Sequence, residues 1–202
     1  MSGRDRFQEF VADRQVFTKQ ELLARGIGRG FVDGAIARGE IVRQHHGILS
    51  TPEAEFDPLL DDVIACFATG GVICGRTAGN RHQLTDDLPN QIEILIPHSV
   101  TRTPSSQFLR PFRSRLPESF TVGVEERKVL GVPLRMTGRA RTVVDLLTGP
   151  IRQHGVAALH TFLGEGGTGD ELTEVATALG RWDEVEPFVE AALQGMSRTI
   201  GR

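Results

Sequence analysis

From Arg4 to Asp13 the apolar residues Phe7, Phe10 and Val11 fall three and four apart, which gathers them on one face of a helix. A second helix is announced by Thr18-Lys19-Gln20-Glu21, which fits a capping box. In that motif the Thr18 hydroxyl accepts from the Glu21 amide while the Glu21 carboxylate reaches back to the Thr18 amide. Leu22 and Leu23 give this helix its buried side, and Gly26, free to adopt the left-handed conformation, ends it. Ile27 is then a pin into the core. Val32, Ala35 and Ile36 form the inner face of a third helix, from about Arg29 to Arg38, which Gly39 closes. After it, "EIVRQ", a turn and "GIL" predict a two-stranded hairpin.

The pattern changes at "STPEAEFDP", residues 50–58, which is polar, carries prolines and lacks helical periodicity, and so reads as a linker. Beyond it the chain alternates. Leu59 to Ala68 is helical in pattern, "TGGVIC" opens with a short apolar run that leads into a small-residue helix, and "QIEILIP" alternates like a half-buried strand. "HSVTRTPSSQFLRPFRSRLP" is basic and punctuated by proline. "FTVGVEERKVLGVPLRMT" suggests two or three short strands joined by "EERK" and "LGVP" turns. Helical spacing then runs from Arg139 to Leu147, Ile151 to Leu163, Glu171 to Leu179 and Glu184 to Leu193, with "GEGGTGD" breaking the second of these from the third. The expected class is α+β. Residues 1–49 form an N-terminal winged helix-turn-helix domain, 50–58 a linker, and 59–202 a mixed α+β domain with a helical C-terminal end.

Composition narrows the classes. The chain has 202 residues, of which 39% are apolar and 24% charged, a normal globular balance that argues against wholesale disorder. It has no apolar run of membrane-spanning length, and "MSGRDRFQEF" lacks the apolar core of a signal peptide, so a cytoplasmic protein is expected. Cys66 and Cys74 make no disulfide framework and no zinc-ligand spacing; they read as small buried hydrophobes, with a regulatory thiol as the alternative. No cofactor or metal is expected. Net charge is −3, but it is unevenly spread: residues 1–50 hold eight Arg and Lys against six acids, and residues 165–202 hold eight acids against three arginines. That asymmetry suggests different partners for the two ends.

Helix, short glycine turn and helix, followed by a hairpin, is the pattern of a winged helix-turn-helix, whose second helix enters the major groove of DNA by its N-terminal residues. The outward residues there are Arg29, Gly30 and Asp33, with Lys19 at the start of the preceding helix. Gly30 and Gly34 leave the helix surface bare for close approach, and each costs about 1 kcal/mol of helix propensity relative to alanine. Arg29 is suited to a guanine or a phosphate, and Arg38, Arg43, Gln44, His45 and His46 to the phosphates beside the groove. One such domain has few phosphate contacts and would bind weakly at physiological salt, so a homodimer on DNA is expected. Against this stands a protein-binding winged helix, for which an acid in the middle of the reading face (Asp33) is no handicap.

The opening stretch, with "VICGRTAGNRHQLTDDLPNQIEILIP" and "LRMTGRARTVVDLL", resembles the AbiEi family of antitoxins over roughly Phe17 to Leu147. These are the transcriptional-regulator partners in type IV toxin–antitoxin systems. The resemblance implies an N-terminal winged helix that binds an inverted repeat in its own promoter and represses the operon. It also implies a C-terminal domain that counteracts a nucleotidyltransferase-like toxin, without requiring a stable complex between the two. The chain departs from the family pattern at the hairpin, where "HHGILS" replaces a glycine–aromatic ending.

Other constellations offer candidate chemistry. Asp86, Asp87 and Glu93 invite a metal-nuclease core, and hence a nucleic-acid-processing enzyme, but the position two after Glu93 is Leu95 where a lysine is needed, and the chain has only Lys19 and Lys128. The plain alternative leaves Asp86 and Asp87 in a turn and Glu93 facing water. Cys74 and His82 suggest a thiol–imidazole pair or two structural residues. Arg141 and Asp145, four apart on one helix, read as a structural pair. Finally, Arg102, Arg110, Arg113 and Arg115, interleaved with Phe108 and Phe112 and without an acid, form either a second nucleic-acid surface or a loop that tucks its phenylalanines inward.

Overall fold

The computed structural model describes residues 2–100, 107–150 and 152–200, without the side chains of His46 and of residues 196–200. Helices and two sheets alternate irregularly along it, and the class is α+β. Two compact units emerge.

The first comprises residues 2–70 with 126–134. Its order is α1 (Gly3–Asp13), β1 (Val16–Thr18), α2 (Lys19–Ala24), α3 (Arg29–Ala37), β2 (Val42–Arg43), β3 (Ile48–Ser50) and α4 (Leu60–Thr69). The capping box forms as expected: the Glu21 amide donates to Thr18 Oγ1 at 3.2 Å and the Thr18 amide to Glu21 Oε2 at 2.7 Å. Gly26 and Gly39 take φ of +73° and +74°, so both helices end where the glycines allow the chain to turn. Phe7, Phe17, Leu22, Ile27, Val32, Ala35, Ile41 and Leu49 pack into one core, with the Phe7 and Phe17 rings edge to face at 6.3 Å. The hairpin β2–β3 gains a third strand, β1, so that the order is β1-β3-β2, all antiparallel. That strand has three residues, one of them the helix cap Thr18, too short for alternation to reveal it. The stretch taken for a linker folds with this unit: Thr51 and Ala54 are buried and Pro52–Phe56 makes a turn of 3-10 helix.

The second unit comprises residues 71–100, 107–125 and 135–200. The sheet runs β6 (Leu109–Ser114), β5 (Ile92–Pro97), β4 (Val72–Ile73), β8 (Val132–Thr137), β7 (Val124–Val129), with α5 (Gly75–Arg81) between β4 and β5. β5 lies antiparallel to β4 and parallel to β6, and β4 parallel to β8. The basic proline-rich segment therefore contains a strand, β6, which periodicity did not indicate. Pro111 sits within it and is tolerated because β6 is an edge. "EERK" is not a turn either; it is the middle of the other edge strand, β7, whose exposed charges discourage edge-to-edge pairing. The turn is Leu130-Gly131, both with positive φ, which suits a two-residue hairpin; residues 126–134 at its tip belong to the first unit.

Four helices complete the second unit: α6 (Arg139–Leu147), α7 (Arg152–Gly164), α8 (Gly169–Ala178) and α9 (Trp182–Ile200). Val143, Val144, Leu146 and Leu147 of α6 are buried against Leu159 and Phe162 of α7, Leu172 of α8 and Val185 of α9. α6 and α7 touch through Gly155, where a Cβ would fall 2.5 Å from the Leu147 amide nitrogen. Among the described residues no helix is long and apolar enough to cross a membrane.

Candidate functional site

In the first unit the exposed side of α3 carries Arg29, Gly30 and Asp33. Asp33 is the centre of this face. Lys19 Nζ, from the start of α2, lies 2.5 Å from its Oδ1. The hydrogen bond from Lys19 holds the Asp33 carboxyl below its ordinary value, and the charges of Lys19, Arg43 and Arg29 push it the same way. Residues from α2, α3 and β2 are thus brought onto one surface. Gly30 is open, since a Cβ there would meet no atom within 4 Å. Gly34 is not bare as expected: the Arg38 guanidinium covers it, 3.0 Å from where a Cβ would stand.

Arg38 itself is engaged. Its Nε and Nη2 donate to Glu40 at 2.8 and 3.1 Å, and Arg4 donates to the same carboxylate at 3.0 Å. Gln44 turns toward β3, donating to Ser50 Oγ at 3.0 Å. His45 is exposed in the hairpin turn. The side chain of His46 lies outside the described residues, as does Arg102.

The second unit holds a cavity of about 350 Å³ bounded by β5, β6, the start of α5, α6 and the residues after it. Glu93 of β5 was expected to face water; instead it is 3% exposed and points inward. Arg76 secures it three ways: the backbone amide donates to Oε2 at 2.6 Å, and Nε and Nη2 approach Oε1 at 2.9 and 2.8 Å. Arg110 Nη1 lies 3.4 Å from the same oxygen. Arg76 also reaches Asp87 at 3.2 Å, and these carboxylates raise its already high pKa, Glu93 foremost.

A second cluster lines the same cavity. Arg141, 3% exposed, donates from Nε to both oxygens of Asp145 at 3.0 Å and from its other nitrogens to the carbonyls of Val122 and Ser119. The structural pairing of Arg141 with Asp145 is borne out. Arg181 approaches Asp145 at 3.2 Å and donates to Thr148 Oγ1 at 2.9 Å. Burial raises the Asp145 carboxyl above its ordinary value, against the opposing pull of Arg141 and then Arg181.

Of the basic run, Arg110 and Arg113 of β6 line the cavity, with Arg113 donating to the Val100 carbonyl, whereas Arg115, just after the strand, donates to His98 Nε2 at 3.2 Å. Phe112 packs against Val72, Cys74 and Leu95. Arg76 and Arg181 were not singled out by the sequence. Arg76 follows "VICG" with no periodic signal of its own, and Arg181 is 36 residues from its partner Asp145.

Cys66 and Cys74 are both buried thiols, and the His82 ring donates from Nε2 to the Thr137 carbonyl at 2.7 Å. Among the described residues no three His, Cys, Asp or Glu side chains come together so as to hold a metal ion. No protein-family model matches the chain, and no curated protein matches it either.

Proposed function

We propose that this protein is a DNA-binding repressor of the AbiEi antitoxin kind, with residues 1–49 acting as a winged helix-turn-helix on an inverted repeat upstream of its own gene. The observation that carries this is the cationic face on which Lys19, Arg29 and Arg43 surround Asp33 beside the open backbone of Gly30. α3 would lie in the major groove with Arg29 at base edges or phosphate, and the β2–β3 hairpin would bring Arg43 and His45 to the phosphates flanking it. Asp33 organises the cations in the absence of DNA. Few phosphate contacts per domain favour a homodimer. Counteraction of a nucleotidyltransferase-like toxin by the second unit, without catalysis, follows from the resemblance alone. A nuclease reading is disfavoured because both Glu93 oxygens are already held, Oε2 by the Arg76 backbone amide and Oε1 by the Arg76 guanidinium.

A mobility-shift titration of the duplex upstream of the gene, repeated over several salt concentrations, tests the proposal. Arg29→Ala is expected to weaken binding by about 1–3 kcal/mol and Arg43→Ala to reduce the salt slope by roughly one. Equal affinity of both variants and the parent would remove α3 and the hairpin from the interface. Magnesium-dependent cleavage lost in Glu93→Ala would instead favour the enzyme.

A further inference from the structure

The cavity of the second unit has a composition that its own structure does not use up. Five arginines face it (Arg76, Arg110, Arg113, Arg141 and Arg181) against two carboxylates, Glu93 and Asp145. Each carboxylate is shared by two guanidiniums; Asp87, through Arg76, offsets the second charge at Glu93, so the surplus is one positive charge at Asp145 and that of Arg113, which among the described residues donates to a carbonyl. His154 also lines the cavity, its Nε2 3.7 Å from Asp87.

Cations gathered in a recess with low-dielectric walls repel one another more than they would in water and focus the field onto whatever enters. Three of the guanidiniums are also fixed in place. Arg141 has its nitrogens committed to Asp145 and two carbonyls, and Arg76 to Glu93 and Asp87. Arg181, which would meet the anion, is held by Asp145 and Thr148 Oγ1, so little of its side-chain entropy remains to be lost when an anion arrives.

The remaining walls are apolar, with Leu95, Phe112, Leu146 and Pro150 among them, and about 350 Å³ falls at the small end of ordinary ligand sites. An inorganic anion would leave these walls unused. We infer that the cavity binds a small organic phosphate, its dianion held by Arg110, Arg113 and Arg181 and its organic part, of nucleoside size, lying against Phe112 and Leu146. This goes beyond the DNA-binding proposal and does not depend on it.

Calorimetric titration of the full-length protein with adenosine monophosphate, adenosine and inorganic phosphate separates the contributions. Adenosine monophosphate is expected to bind, adenosine not, and inorganic phosphate at least about tenfold more weakly than the nucleotide. Arg113→Ala, which strips no carboxylate of its partner, should weaken nucleotide binding about tenfold while leaving the thermal midpoint of the unliganded protein unchanged. Absence of nucleotide binding at millimolar concentration would overturn the inference, as would unchanged affinity in Arg113→Ala. Equal affinity for inorganic phosphate would remove the organic part. Displacement of the nucleotide by a single-stranded oligonucleotide at lower concentration would make the cavity a polymer site instead.

Discussion

Glu40 in the first unit and Glu93 and Asp145 in the second share one constellation, a carboxylate held between two guanidiniums, and differ in how much water reaches it. Their side chains are 34%, 4% and 15% exposed. Around Glu40, Arg4 and Arg38 are 64% and 51% exposed and remain hydrated whether or not the acid is there. Around Asp145, Arg141 is 3% exposed and has no such alternative. One arrangement is therefore a surface ornament that salt screens, and the other a structural joint. Charge pairs of equal length contribute unequally because burial sets the penalty for a missing partner.

Removing the buried arginine should break the comparison most visibly. Arg141→Ala leaves Asp145 with Arg181 alone and strips donors from the carbonyls of Val122 and Ser119. A loss of about 3–5 kcal/mol at neutral pH is expected, read from urea unfolding. A loss below that expected for an exposed pair would mean that water reaches the joint.

A smaller effect comes from pH. Because the folded-state value of Asp145 lies above its unfolded one, the folded protein takes up this proton first. The resulting stabilisation is fully present below the ordinary carboxylate value and is lost as pH rises through the raised one. Protonated Asp145 needs no counter-charge, so the deficit of Arg141→Ala should shrink as pH falls through that window. Unfolding midpoints of parent and variant at stepped pH would detect it; a constant deficit would assign the loss to the two carbonyls instead.

What could be seen beforehand follows the same division. The first unit was largely legible because its determinants are local: the Thr18–Glu21 box, Gly26 and Gly39 act within a turn of the residues they order. The same holds for α6, where Arg141 and Asp145 are one turn apart. Glu93 was misplaced because alternation assumes a strand with one wet face, whereas Ile92–Pro97 is buried on both over its middle four residues. β6 was hidden by Pro111, a rule about central strands that an edge escapes. No local signal could have paired Arg181 with Asp145, since packing among the C-terminal helices brings them together. The candidate DNA face was named residue by residue except for its pairing pattern: neither the Lys19–Asp33 bond nor the engagement of Arg38 by Glu40 shows in periodicity.

That engagement supplies the smallest effect on stability and the sharpest contrast. Glu40→Gln removes the acid from the exposed cluster while keeping its shape. Arg4 and Arg38 stay solvated, so the unfolding midpoint should not move measurably, unlike that of Arg141→Ala. DNA binding should respond in the other direction. On the proposed interface Glu40 would compete with phosphate for Arg38; its carboxyl is held below the ordinary value chiefly by the Arg38 hydrogen bond, so it stays anionic throughout the neutral range. Freeing Arg38 should tighten binding to duplex DNA and steepen its salt dependence by roughly one unit of slope, since one more phosphate can be neutralised. If Glu40→Gln left the slope unchanged, Arg38 would lie outside the interface. The DNA-facing surface would then contract to Lys19, Arg29 and Arg43 around Asp33.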